Sequence, residues 1–292
     1  MLDACLTPEM AAEITMQPVR RHGVDGAVFF SDIVVPMKIV GLDVDIKPGV
    51  GPVFGTALRS RSDIDDVLTY ELEDSPEIRE AVAICVNELD VPVIGFGGAP
   101  FTLAAYMVEG KPSRDHLAAR ALMHTDPEYW GKLMEWTARM TRRFIDIQIE
   151  AGAEIAQLFD SWAGSLSRAD YERYVLPYST SVLDGLDVPT IHFGTGTSHF
   201  LDLLAGPADV LGVDYRIPLA QAAELAPGKP LQGNIDPAYL AAPWDVLAAH
   251  IDEVLESGTA APAHIVNLGH GVPPTTDPEV LSRVVSYIKE KQ

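Results

Sequence analysis

Seven short apolar runs in this sequence end in glycine or polar residues, and those ends carry the residue types that do chemistry. The ends are Asp32, Gly97-Gly98, Asp160-Ser161, Gly194, Asp214, Asn234 with Asp236, and His270. If the runs are parallel strands, their carboxyl ends meet at one face, where α/β folds place their active sites. The sequence therefore predicts one polar pocket to which Asp32 and His270 both contribute.

Three of the candidate residues have a plainer alternative. Asp32 follows the apolar residues 27–30 and is expected to face the pocket, unless it only caps the next helix or turn. His270 lies between two glycines, so its imidazole could bind an anion or exchange protons, or it could be a turn histidine without a role. Tyr106 could donate a hydrogen bond to an anion, or it could pack against apolar neighbours.

Two further combinations of residues are weaker. Asp160, Ser161 and His270 are the residue types of a nucleophilic triad, but Ser161 lacks the GxSxG turn that exposes a nucleophile. Residues 194–197, Gly-Thr-Gly-Thr, could form a phosphate-binding loop, although neither GxGxxG nor a Walker sequence supports it. His270 has no second histidine at helical spacing and HExxH is missing, so the sequence predicts no metal site.

Apolar strands and amphipathic helices alternate along the chain and must position these residues. Strands are predicted at residues 27–30, 91–96, 154–159, 189–193, 210–213, 230–232 and 264–268. Helices are predicted at residues 7–21, 62–68, 75–89, 126–151, 167–186, 199–205, 219–225, 244–257 and 280–289, with a hairpin near residues 44–49. This order implies a parallel sheet with helical crossovers.

The repeated strand, turn and helix favour a (β/α)8 barrel, the TIM-barrel fold, over a doubly wound sheet, because several strand ends carry polar or glycine-rich turns. A closed barrel has eight strands, whereas seven are predicted here. The chain opens with a helix that precedes the first predicted strand, so the first barrel strand is expected to be missing. We expect one barrel domain over residues 1–292, incomplete at its amino end.

Composition narrows the classes of function. The 292 residues are 47% hydrophobic and carry a formal net charge of −21, which disfavours nucleic acid and anionic membranes as partners. A small anionic substrate stays compatible, since a few local Arg or His residues can outweigh the global field. Cys5 and Cys85 are far apart and lack the spacing of metal ligands, so neither a disulfide framework nor a structural zinc site is predicted. With neither a signal peptide nor an apolar run long enough for a membrane helix, a cytoplasmic protein is expected.

Eight motifs, taken in this order, resemble the uroporphyrinogen decarboxylase family. They are PVRR (18–21), FSDI (30–33), GFGGAPFTL (95–103), YMVEG (106–110), QLFDSWAG (157–164), IHFG (191–194), LQGNIDP (231–237) and NLGHG (267–271). The resemblance spans essentially the whole chain. It implies a (β/α)8 barrel, a homodimer, and conversion of the tetrapyrrole uroporphyrinogen III to coproporphyrinogen III by loss of four acetate carboxyls as CO₂, without metal or cofactor.

The resemblance also implies roles for four residues. Asp32 would be the catalytic carboxylate and would accept hydrogen bonds from the pyrrole NH groups. Tyr106, Ser161 and His270 would bind substrate carboxylates at the rim of the pocket.

The resemblance breaks down at the amino end. The family segment of the type Met-Arg-Gln-Ala-Gly-Arg-Tyr, whose two arginines hold substrate carboxylates, has no counterpart here, and Arg20 and Arg21 lie inside a predicted helix. We expect either a gene start placed too far downstream or a truncated chain. The first is favoured because a missing central strand would leave backbone groups unpaired. Without the two arginines, substrate binding is expected to be weaker.

Two alternatives to a decarboxylase stay open. The related corrinoid-dependent methyltransferases and cobalamin-independent methionine synthases hold zinc with His-x-Cys and a further Cys. The corresponding segment here, His192-Phe193-Gly194, contains no cysteine. The other alternative is an inactive, truncated homologue.

Overall fold

A computed structural model describes residues 1–291 and contains a parallel sheet whose strands follow chain order. The strands are β1 (Ala27–Val28), β2 (Val44–Lys47), β3 (Gly51–Phe54), β4 (Val93–Gly98), β5 (Ile155–Asp160), β6 (Thr190–Gly194), β7 (Val210–Gly212), β8 (Leu231–Ile235) and β9 (His264–Leu268). The main sheet has the order β1-β4-β5-β6-β7-β8-β9, with every neighbouring pair parallel. β2 and β3 form the predicted antiparallel hairpin.

Helices connect these strands. In chain order they are α1 (Leu2–Cys5), α2 (Pro8–His22), α3 (Val35–Ile39), α4 (Arg61–Val67), α5 (Pro76–Glu88), α6 (Pro100–Glu109), α7 (Leu117–Thr125), α8 (Pro127–Glu150), α9 (Arg168–Tyr174), α10 (Leu176–Leu183), α11 (Leu201–Ala205), α12 (Leu219–Leu225), α13 (Trp244–Gly258) and α14 (Pro278–Lys291). Short 3-10 turns cover Ala163–Ser165, Ser198–Phe200 and Pro237–Ala241. None of the helices in residues 1–291 combines the length and apolar character needed to cross a bilayer.

Local sequence sets the helix ends. Pro8 occupies the first turn of α2, where its missing N–H costs no hydrogen bond. Gly23 ends α2 in the left-handed conformation, with φ of 68°, and its N–H bonds the carbonyl of Val19. At α4, Ser60 and Asp63 form a reciprocal capping box. The predicted helix at residues 7–21 is therefore confirmed to within about one residue at each end.

One predicted helix is wrong. Residues 167–186 form two helices, α9 and α10, separated at Val175, whose φ of −129° is not helical. Pro177 lies in the first turn of α10. A proline has no N–H to donate and its ring clashes with the carbonyl four residues earlier, so one continuous helix cannot run through this position.

The sheet is open between β1 and β9, which lie at its two ends and do not pair. Val28 and Ile265, on these two edges, are 44% and 43% exposed. A cavity of about 460 Å³ lies between the edges and is lined by both residues. The seven predicted strands are thus confirmed as a barrel-like sheet. The first is shorter than predicted, and Val28 is not buried because no strand within residues 1–291 pairs with the free edge of β1.

Amide hydrogen exchange should report this opening. The amides of Ala27 and Phe29 bond the carbonyls of Pro92 and Ile94, so the amide of Val28 points away from β4. We expect the Val28 amide to exchange much faster than that of Ala156, which donates to Pro189 in the middle of the sheet. Exchange measured by NMR decides this. Equal protection of the two amides would contradict an open edge at β1.

Candidate active site

Asp32 lies in the segment that follows β1. Its Oδ1 accepts a hydrogen bond from the Val34 N–H at 3.0 Å. Burial raises the pKa of Asp32 above its ordinary value, and the Val34 N–H opposes this shift only in part. The segment packs closely on β4, since a Cβ added to Gly98 would lie 2.8 Å from the Cβ of Ile33. The predicted glycines at this strand end therefore make room for the Asp32 segment.

Tyr106 lies on α6, where the charge of Asp32 acts on its phenol. Burial, and next the negative charge of Asp32, raise the pKa of Tyr106 to about 12. The phenol therefore keeps its proton at neutral pH and can donate a hydrogen bond. The Tyr106 ring packs at a tilt against Trp162, with the ring centroids 3.7 Å apart and the planes at 30°. Both readings of Tyr106, as a packed residue and as a donor, fit its position.

Ser161 and His270 line one cavity of about 470 Å³. Phe159 and Phe193 contribute aromatic walls to it and Gln232 contributes an amide. His270 is exposed, as its two glycine neighbours predict. Asp32 and Tyr106 are not among the residues that line this cavity, but Tyr106 contacts Trp162, the residue after Ser161. Ser161 and His270 thus share one cavity, whereas Asp32 and Tyr106 are linked by the effect of the Asp32 charge on the phenol.

Asp160 does not join Ser161 and His270, so the triad is not formed. Its side chain is fully buried on the outer side of β5, where Oδ1 accepts a hydrogen bond from Thr102 at 2.9 Å. The nearest His192 nitrogen lies 3.9 Å from Oδ2. Consecutive residues of a strand point to opposite faces of the sheet, so Ser161 faces the cavity and Asp160 the helices.

The predicted phosphate-binding loop is already occupied by a carboxylate of the chain. The N–H of Gly196 donates to Asp214 Oδ2 at 2.6 Å. The Thr195 hydroxyl donates to the carbonyl of Ser161 at 2.5 Å. The loop after β6 therefore ties the ends of β5 and β7 together and has few donors left for an external anion.

Two more strand-end residues act on the backbone instead of the cavity. The Asn234 amide donates to the carbonyls of Asp214 and Ile217, at 2.8 and 2.6 Å. Asp236 accepts from the N–H of Ala238 and begins a 3-10 turn. Their polarity at strand ends predicted that they lie near the pocket. Their hydrogen bonds instead hold the backbone of the adjoining loops in place.

The structure adds Trp162 and His116, which the sequence patterns did not single out. His116 also packs at a tilt against the Trp162 ring, with centroids 4.2 Å apart, and it has a left-handed φ of 49°. Its Nδ1 lies 3.0 Å from the hydroxyl of Ser165. The signal for Trp162 was present, since it directly follows Ser161. His116 gives no such signal, because only the fold brings it there.

A family model described as "Uroporphyrinogen decarboxylase (URO-D)" matches residues 1–291. The chain belongs to the uroporphyrinogen decarboxylase family. The curated uroporphyrinogen decarboxylase of Arthrobacter sp. (strain FB24) is 58% identical over 99% of this chain and 85% of its own length. That of Streptomyces coelicolor is 53% identical over 99% of this chain and 83% of its own length. The family resemblance stated from the eight motifs is confirmed.

Solved structures with low sequence identity share the fold. A methyltransferase from Methanosarcina mazei matches with a TM-score of 0.81 at 17% identity, covering 99% of this chain and 87% of its own. A B12-independent methionine synthase from Shewanella sp. W3-18-1 matches with a TM-score of 0.67 at 15% identity, covering 96% and 87%. These similarities place the open sheet among barrel folds and say nothing of the reaction.

In the segment that would correspond to a zinc site, Phe193 lines the cavity but His192 points away from it. His192 is fully buried on the outer side of β6, and its Nδ1 lies 3.2 Å from the carbonyl of Leu204. Across residues 1–291, no three His, Cys, Asp or Glu side chains are grouped so that they could hold a metal ion.

Replacing Asp32 should stabilise the fold at neutral pH. Because the pKa of Asp32 is raised on folding, the folded state favours the protonated form, and stability falls as pH rises from about 4 through the raised value. Asn stays neutral and can still accept from Val34. We therefore expect Asp32→Asn to have a higher Tm than the wild type at pH 7, with the difference vanishing below about pH 4.

Differential scanning calorimetry across this pH range measures the effect. Asp245→Asn is the matched control, because Asp245 is exposed in the first turn of α13. A lower Tm for Asp32→Asn at pH 7, or the same gain in the control, would show that burial of the Asp32 carboxylate does not oppose folding.

Proposed function

We propose that this chain catalyses the cofactor-free decarboxylation of the four acetate side chains of uroporphyrinogen III to give coproporphyrinogen III. The observation that carries the proposal is the match of the decarboxylase family model over residues 1–291. Curated relatives bearing that enzyme's name, aligned along 99% of the chain, support it.

The chemistry requires a site that stabilises a cation. A pyrrole acetate cannot lose CO₂ directly, because the electron pair of the broken C–C bond has nowhere to go. Protonation of a pyrrole ring carbon makes a cationic ring that accepts this pair as CO₂ leaves. The former acetate carbon then takes a proton to become a methyl group and the ring gives its added proton back. Negative charge placed beside the ring lowers the barrier to this step.

We assign that negative charge to Asp32. A carboxylate in a largely buried position accepts hydrogen bonds from the pyrrole NH groups and is oriented before the reaction begins. The Val34 N–H fixes one of its oxygens. Burial disfavours the charged form of an isolated Asp32, and a bound cationic ring reverses this by favouring the carboxylate. The ionised Asp32 carboxylate is therefore more stable beside the cationic transition state than in the empty site.

Tyr106, Ser161 and His270 are proposed to bind substrate carboxylates. The raised pKa keeps the Tyr106 phenol protonated, so it can only donate to an anion. Ser161 and His270 share the 470 Å³ cavity, whose aromatic walls suit the flat apolar faces of pyrrole rings. The contact between Tyr106 and Trp162 brings Tyr106 to the edge of the same region.

Activity of the purified chain on uroporphyrinogen III tests the proposal. The products, oxidised to porphyrins and separated by carboxyl number, should include coproporphyrin. Asp32→Asn should lower kcat by about 100-fold, by analogy with the removal of one preorganised electrostatic group. Asp245→Asn should match the wild type. No conversion by the wild type would refute the function, and full activity of Asp32→Asn would refute only the role of Asp32.

A homodimer, a cytoplasmic location and independence from metal belong to the same proposal. The homodimer and the independence from metal are what the family resemblance implies, and the location is the default expected from the sequence. Sedimentation velocity of the full chain tests the dimer, and turnover after treatment with a chelator tests the independence from metal. A monomer at all concentrations, or activity lost with the metal and restored by it, would contradict them.

A further inference from the structure

The segments that directly follow the strands of the main sheet carry little positive charge. In the seven segments that join each strand of the main sheet to the next helix or 3-10 turn, Arg216 is the one Lys or Arg within residues 1–291. His270, which lines the cavity, is the one histidine in these segments. A substrate with many carboxylates, facing a chain of net charge −21, needs such local cations.

Arg216 forms an ion pair with the buried Asp214 through only part of its guanidinium. One guanidinium nitrogen, Nη1, bonds Asp214 Oδ2 at 2.5 Å, and the described residues provide no hydrogen-bond partner for Nε or Nη2. The Arg216 side chain is 46% exposed, whereas that of Asp214 is 3% exposed. The guanidinium carbon also lies 4.5 Å from the centre of the Tyr215 ring. These contacts orient the cation while leaving donors toward solvent.

Asp214 does not need Arg216 to satisfy its carboxylate. The backbone N–H groups of Gly196 and Arg216 donate to its two oxygens, at 2.6 and 3.0 Å. Two backbone donors already stabilise the Asp214 carboxylate, so its buried charge does not depend on the Arg216 side chain. The ion pair mainly orients the guanidinium of Arg216.

The loop that carries Arg216 touches the loop that carries His270. A Cβ added to Gly269 would lie 2.4 Å from the backbone nitrogen of Tyr215, so the two loops are in direct contact. Arg216 and His270 each follow one of these two contact residues. The two basic side chains therefore start from adjoining points at the same end of the sheet, and His270 lines the cavity.

We propose that Arg216 is a substrate-binding residue that pairs with a carboxylate of the tetrapyrrole at the mouth of the cavity. The inference rests on the proposed function and adds a cation to it that the eight family motifs do not contain. Arginine suits the role because its planar guanidinium presents several donors to a carboxylate at once. Asp214 and Tyr215 limit its conformations before substrate arrives, which lowers the entropic cost of binding.

Steady-state kinetics of Arg216→Gln test the inference. We expect KM for uroporphyrinogen III to rise about fivefold to tenfold with kcat nearly unchanged, which is the pattern of a lost carboxylate contact made equally in ground state and transition state. Arg216→Lys should recover part of the loss because it keeps the charge. Arg20→Gln is the matched control, since Arg20 is 48% exposed and pairs with Glu88, at the ends of the two helices that precede β1 and β4.

Binding of uroporphyrin III, followed by fluorescence, separates a charge contact from a structural effect. Added salt should weaken binding to the wild type more steeply than binding to Arg216→Gln, because one ion pair is missing in the variant. An unchanged KM and an unchanged salt dependence in Arg216→Gln would overturn the inference and leave the proposed function intact. So would an equal effect of Arg20→Gln. A wild type that neither converts uroporphyrinogen III nor binds uroporphyrin III would refute both.

Discussion

The parallel hydrogen-bonded ladder of the main sheet is the constraint on which the site depends. Its register makes Phe159 and Phe193 direct neighbours on β5 and β6, and both face the cavity. Since side chains alternate along a strand, the same register sends Asp160 and His192 to the outer side, beneath the helices. All strands run the same way, so every strand end opens at one face, and Ser161 and His270 meet there although they are distant in sequence.

The electrostatic environment of Asp32 lowers the stability of the fold and suits the proposed reaction. A buried Asp32 costs folding free energy at neutral pH, because its pKa is raised by burial. In the proposed reaction, the same poorly solvated carboxylate would interact strongly with a cationic pyrrole ring. Substrate carboxylates pose the opposite requirement in a chain of net charge −21. In the proposed function, His270, Tyr106 and Arg216 therefore supply the donors that these carboxylates need.

Much of the fold could be predicted because its signals are local. Apolar runs gave all seven strands of the main sheet, turn residues gave the β2–β3 hairpin, and Pro8 with Gly23 gave the ends of α2. The predictions failed where contacts with another segment decide whether a side chain is buried or which face it occupies. Val28 belongs to an apolar run, yet it is exposed because β1 is an edge strand. Asp160 and Ser161 look equivalent at a strand end until the sheet assigns them to opposite faces.

The sequence by itself determined the family, the alternation of strands and helices, and the residue types available at the strand ends, because motifs and periodicity are properties of neighbouring residues. Only the tertiary structure decided which of those residues share a cavity. Loop contacts such as Gly269 against Tyr215 and Gly98 against Ile33 depend on backbone approach between segments far apart in the chain. That approach brings the loops of Arg216 and His270 into contact and places the Asp32 segment against β4, and no local pattern encodes it.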